Sequence, residues 1–311
     1  MAALLFPSAS VAFTGAMCNR LNEHGRCVPA GGWCDAAHAL RAGSKALSKD
    51  AELLELVRRG DAAFDDPSLK ACHALRSELM RHLQSLYGAA TTRDQARASA
   101  GAGLLKGAQG NSPVQQFAFL VRWAQHVARQ RAARRSAPTV TACETGFNWG
   151  LSALAFLCAS PVVRVQSFDL PSGWPGSGTR DMPYIHRAHA WLQRRFPGRL
   201  NLTLGDSLHT VPALSRTSTV RCDLTVVDGG HTFGHSYADM RSLRCAARPH
   251  SLMLADDCMH DQGSNAAFKV GVRAAWHKMV NESRVVPLAS VAYGGHSGCL
   301  GQYAASAPAV L

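Results

Sequence analysis

From Pro138 onward the chain alternates short β-rich runs with helical stretches, and this alternation constrains the fold more than any other feature. Strands are predicted at 139–144, 162–169, 200–204, 223–228, 251–256, 285–292 and near 298–304, with helices at about 150–158, 182–196, 234–246 and 265–280. Such alternation builds right-handed βαβ crossovers, which place helices on both faces of a mostly parallel sheet. The expectation is an α/β fold: a Rossmann-like, doubly wound seven-stranded sheet with a helical N-terminal extension.

The extension divides into a leader over 1–34, read as a targeting or disordered segment, and a helical region with a Gly-rich linker over 35–112. The main domain then runs over 113–311. Leu53, Leu56 and Val57, and later Leu75, Leu79, Leu83 and Leu86, recur at helical spacing, whereas residues 88–112 hold Gly88, Gly101, Gly103, Gly107 and Gly110. Ser112, Pro113 and Gln115 read as a helix start, followed by an amphipathic helix ending near Arg135. Residues 1–22 carry no acidic side chain, but no Lys or Arg precedes Arg20, so a secretory signal lacks its positive start. Organellar or secretory targeting stays open beside a cytoplasmic default. No stretch approaches the roughly 20 apolar residues of a membrane-spanning helix.

A net charge of +12 suggests an anionic partner until its distribution is counted. Residues 95–143 hold 7 basic and no acidic side chains, while 144–261 hold 11 basic and 10 acidic. The excess therefore sits largely in Arg122, Arg129, Arg131, Arg134 and Arg135, which read as the solvated face of a helix. Neither an aromatic-rich RNA-binding signature nor zinc-finger spacing accompanies them, so a nucleic-acid partner is not expected. Among ten cysteines there is no CxxC pair. Cys18, Cys27 and Cys34 are candidates for a disulfide in an oxidising compartment, whereas Cys143, Cys158, Cys222 and Cys258 lie in or beside apolar runs and read as buried free thiols.

In an open parallel sheet ligands bind beyond the carboxyl ends of the strands. The first predicted strand ends at Glu144 and leads into Gly146, Gly150 and Ser152; the second ends at Asp169, near the spacing at which an acid meets ribose hydroxyls. The third leads into Asp206 and Ser207, the fourth into Asp228, Gly229, Gly230 and His231, and the fifth into Asp256 and Asp257. Neither GxGxxG nor GxxxxGK[ST] is present.

With these motifs the segment 113–311 resembles the class I S-adenosylmethionine-dependent methyltransferases. ExGxxxG after the first strand is similar to the cofactor loop of the catechol O-methyltransferase branch. The DGxH element at Asp228–His231 and the DD pair at Asp256–Asp257 resemble the metal-dependent small-molecule and sugar O-methyltransferases of methyltransferase family 24 type. The resemblance implies cofactor contacts from Glu144, Gly146, Gly150, Ser152, Asp169, Asp206, Ser207 and Asp228, and Mg²⁺ ligands at Asp228, Asp256 and Asp257. It implies His231 as the base beside Asp228, where the catechol enzymes place a lysine, and Asp257 stands where they have an asparagine. The implied partner is a small-molecule substrate, with a homodimer open. Metal-independent methylation of nitrogen or of a macromolecule, and a non-catalytic binding module, are the rival readings. Asp239 is expected at the start of the helix after the fourth strand, and Trp174, Arg180, Tyr184, His235 and His260 near the substrate.

Overall fold

The computed structural model describes Glu52, Glu55 and residues 66–88, 114–133, 139–171, 183–217, 220–258, 266–293 and 296–304. The chain divides into two compact units, Met1–His38 and Ala39–Leu311, and every described residue belongs to the second. The expectations for the leader, Cys18, Cys27, Cys34, Trp174, Arg180, His260 and the Gly-rich segment after Gly88 fall outside the described residues.

The elements are α1 (Pro67–Gly88), α2 (Val114–Ala133), β1 (Val140–Thr145), α3 (Leu151–Ala159), β2 (Val163–Asp169), α4 (Pro183–Arg195), β3 (Leu200–Leu204), α5 (Ser207–Thr217), β4 (Cys222–Val227), α6 (Phe233–Ala246), β5 (Ala247–Asp256), α7 (Ala266–Asn281), β6 (Val285–Tyr293) and β7 (His296–Tyr303). They form the expected doubly wound α/β fold, with a seven-stranded sheet in the order β3-β2-β1-β4-β5-β7-β6. The five strands β1 to β5 pair in parallel, and β7 runs antiparallel to both β5 and β6.

Burial explains the central strands. All six residues of β4 are buried, as are all of β1 except Thr141, which is the signature of strands covered on both faces. Alternation then sends side chains to two cores. Val140, Ala142, Leu224, Val226, Leu252 and Leu254 pack beneath α1 to α4, while Cys143, Val227, Met253 and Ala255 face α5, α6 and α7. Among the described helices none is long and apolar enough to cross a membrane.

Three expectations are corrected. The sequence reading missed α5, because Pro212 inside SLHTVPALSRT looks like a breaker; an Asp206 cap, whose Oδ1 accepts the Leu208 N–H at 2.9 Å, starts the helix. The solvated arginine face of α2 holds at Arg129, which is 62% exposed, but not at Arg131, which is 19% exposed. Eleven of the residues of α2 are buried, including Phe117–Val121 and Trp123. Arg131 lies 2.7 Å from the buried Asp223 carboxylate, and Arg129 2.7 Å from Glu52. Acidic partners within the chain absorb these charges. Finally, the apolar-run cysteines are not free thiols: Cys72–Cys158, Cys143–Cys222 and Cys258–Cys299 are disulfides with Cα atoms 5.7–5.8 Å apart, and Cys245 is also disulfide-bonded. Proximity in three dimensions created the pairs; spacings of 86, 79 and 41 residues do not announce them.

Candidate active site

The ladders of β1, β3 and β4 run on into the loops that follow these strands. The Gly146 N–H bonds to the Phe168 carbonyl (2.9 Å), Gly205 to Asp169 (2.8 Å) and Asp228 to Thr145 (3.0 Å), so the starts of the loops after β1, β3 and β4 lie beside the ends of β1 and β2. Gly146 has φ +91°, and a Cβ there would collide with the Asp228 carbonyl. Glycine is thus required twice over, for the left-handed backbone and for the close approach of the β1 and β4 loops. Gly150, at φ +70°, begins α3 with no side-chain cap.

Glu144 is 1% exposed. Ser167 Oγ donates to its Oε1 at 2.6 Å, while Oε2 has no hydrogen-bond partner among the described residues. Burial pushes its carboxyl up to about 7; the Ser152 and Ser167 hydroxyls draw it down, and the Asp169 charge adds to the rise. Asp169 accepts the Asn148 N–H at Oδ2 (2.6 Å) and the Leu170 N–H at Oδ1 (2.7 Å), which holds the loop around it. Burial raises its pKa against those backbone bonds. Each oxygen keeps a second lone pair for a ligand hydroxyl. Asp206 and Ser207 stand at the end of β3, where Asp206 caps α5.

A second cluster forms after β4 and β5. The His231 ring lies between two carboxylates, with Nε2 3.4 Å from Asp228 Oδ1 and Nδ1 3.7 Å from Asp257 Oδ2. Asp256 is 3% exposed and Asp257 8%. Burial, then the charges of Asp228 and Asp257, holds Asp256 well above the usual carboxylate range. Tyr293 at the end of β6 donates its hydroxyl to Asp256 Oδ1 at 2.5 Å. Asp257 takes φ +55°, and the Cys258–Cys299 disulfide ties its turn to β7.

The structure therefore gathers Glu144, Gly146, Gly150, Ser152 and Asp169 into one group and Asp228, His231, Asp256 and Asp257 into another. Gly146 packed on Asp228 is the seam between them. Asp239 departs from expectation. It lies well inside α6, is fully buried, and faces Gly229, Thr145 and Ser207 from behind, with its carboxyl pushed up to about 7 by burial. Thr232 caps α6 instead, accepting the His235 N–H. His235 is held by the Thr232 hydroxyl at 2.8 Å, and Tyr184 stacks on Trp149 with centroids 4.2 Å apart.

Sequence reasoning missed Tyr293, the Cys258–Cys299 link and Gly271. A Cβ at Gly271 in α7 would strike the His231 carbonyl and come within 2.7 Å of the Phe233 nitrogen. A glycine in a helix interior costs about 1 kcal/mol relative to alanine, and that anomaly was the available signal. Tyr293 has none.

Residues 143–258 match the methyltransferase domain of family 24. The match covers this segment alone. The matched segment takes in every residue of the two groups and ends before α7, β6 and β7. Solved structures similar to the chain include an O-methyltransferase from Bacillus cereus in complex with SAH, at 17% identity, TM-score 0.48, covering 65% of this chain and 88% of that one. A Podospora anserina methyltransferase bound to SAH is 11% identical, with TM-score 0.48 and coverage of 85% and 99%. A Streptomyces achromogenes O-methyltransferase of tomaymycin synthesis, in complex with SAM, is 16% identical, with TM-score 0.44 and coverage of 59% and 80%. No curated protein matches the chain.

Proposed function

We propose that the protein is an S-adenosylmethionine-dependent O-methyltransferase that acts on a small hydroxylated molecule with the help of Mg²⁺. The observation that carries this reading is the seam at Gly146, which brings a buried acid, Glu144, whose Oε2 has no hydrogen-bond partner among the described residues, next to a loop bearing His231 between two aspartates. The first group suits the cofactor: Glu144 would meet the ammonium of its methionine end and Asp169 its ribose hydroxyls, with Asp206 and Ser207 flanking the adenine. When bound, the cofactor supplies an electrophilic methyl group on a sulfonium.

The second group serves the acceptor. With cofactor and acceptor bound, His231 would accept the proton of the acceptor hydroxyl, and the cofactor would supply the methyl group that the hydroxyl oxygen takes up. Asp228 and Asp257 flank the ring and stabilise the imidazolium that results. Asp228, Asp256 and Asp257 are mutually repelling hard carboxylates, the donor type that would hold Mg²⁺, which lowers the pKa of a bound hydroxyl. As arranged, no three such side chains among the described residues close around one point. That favours, as a second reading, the same transfer run by His231 without metal.

Calorimetric titration with S-adenosylhomocysteine tests the cofactor assignment, and no binding at sub-millimolar ligand removes the methyltransferase reading. EDTA during turnover separates the two versions, since unchanged activity defeats the role of Mg²⁺. A metabolite screen for the mass gain of one methyl group identifies the acceptor.

A further inference from the structure

Tyr293 belongs to β6, which is separated from Asp256 in β5 by the intervening strand β7. Gly298 of β7 is the register partner of both Asp256 and Val291, two residues before Tyr293. A Cβ at Gly298 would sit 2.6 Å from the Tyr293 hydroxyl, so the missing side chain opens the path by which that hydroxyl crosses β7 and reaches Asp256 Oδ1. The ring is clamped from the other side. Phe119 of α2 stacks on it with centroids 6.2 Å apart, and Trp123 stacks behind Phe119 at 5.9 Å. Tyr293 and Asp256 are 2% and 3% exposed, so no solvent competes for this bond.

We propose that Tyr293 is the positioning residue of Asp256, an inference that rests on the methyltransferase reading. The terminal torsion of an aspartate is broad, and its two oxygens exchange easily unless one is held. By occupying Oδ1, Tyr293 fixes the plane of the carboxylate and leaves Oδ2 as the oxygen offered to the Asp228–His231–Asp257 cluster. A helix and a strand outside the matched segment 143–258 thereby set the geometry of an acid inside it.

Tyr293→Phe in the full chain deletes the hydroxyl and keeps the stacked ring. Three quantities are measured: affinity for S-adenosylhomocysteine by calorimetry, and kcat and KM with the acceptor found by mass gain. The expected result is cofactor affinity within twofold of wild type, with kcat reduced about 10- to 100-fold, the range for lost outer-shell hydrogen bonds. Acceptor KM moves little. Gly298→Ala, which keeps the tyrosine and displaces its hydroxyl, is expected to reproduce the loss should the phenylalanine variant fold poorly. Wild-type kcat in both variants of a protein that binds S-adenosylhomocysteine overturns the proposal alone. A wild-type protein that does not bind it removes the methyltransferase reading and this proposal together.

Discussion

Replacing Glu144 with glutamine is expected to stabilise the cofactor-free protein at alkaline pH while weakening cofactor binding. The carboxyl is buried and its pKa rises from an ordinary 4.5 to about 7, so the folded protein holds its proton more tightly than the unfolded chain does. The stability this group contributes is complete below pH 4.5 and is lost as pH rises through about 7. At about 1.4 kcal/mol per pH unit, the loss amounts to about 3 kcal/mol by pH 8. Glutamine cannot ionise, and its oxygen still accepts the Ser167 hydroxyl bond that Glu144 Oε1 accepts now. Urea unfolding of both proteins at pH 5 and pH 8, with disulfides intact, reads the difference. The variant should match wild type within about 1 kcal/mol at pH 5 and exceed it by up to about 3 kcal/mol at pH 8. Asp239, whose pKa is raised similarly, is present in both proteins and cancels. Binding of S-adenosylhomocysteine moves the opposite way, because a neutral amide cannot neutralise an ammonium. A variant no more stable than wild type at pH 8 refutes the argument from burial.

His231→Ala is expected to keep cofactor affinity and lose about 100-fold or more in turnover, the usual contribution of a general base; full activity rules it out as the base. Gly271→Ala gains helix propensity yet should destabilise by about 1–3 kcal/mol and lower turnover, because its methyl displaces the His231 carbonyl. A higher melting temperature with unchanged kcat contradicts that packing. Peptide mapping of the native protein under non-reducing conditions should recover Cys72–Cys158, Cys143–Cys222 and Cys258–Cys299, the pairs expected of a chain that folds under oxidising conditions. Alkylation of those six cysteines without prior reduction refutes it. Reduction by a dithiol should cost about 2–5 kcal/mol for a long-loop disulfide such as Cys143–Cys222 and loosen the Asp257 turn held by Cys258.

The sheet was legible because its signals are local. A buried parallel strand must be apolar throughout and must end where a loop can turn, so TVTACE-TG and LTVVD-GG announce both strand and site. The acids at successive strand ends followed from the same rule, and Glu144, Asp169, Asp228, Asp256 and Asp257 do stand at or just past strand ends. Local signals also misled. Pro212 hid α5, whose start depends on the Asp206 cap, and Asp239 read as a helix start when it belongs to the interior of α6.

What the sequence alone determined, then, is the order of strands and helices and the chemistry at their ends, because hydrophobic period and turn residues act over a few positions. Tertiary structure alone decided which distant groups meet. Cys258 finds Cys299 and Tyr293 reaches Asp256 across a glycine in β7, while Arg131 crosses to Asp223 and Gly271 admits the His231 backbone. Each of these contacts depends on strand order and close packing, and two residues far apart in the chain carry no mark of the neighbour that packing will bring.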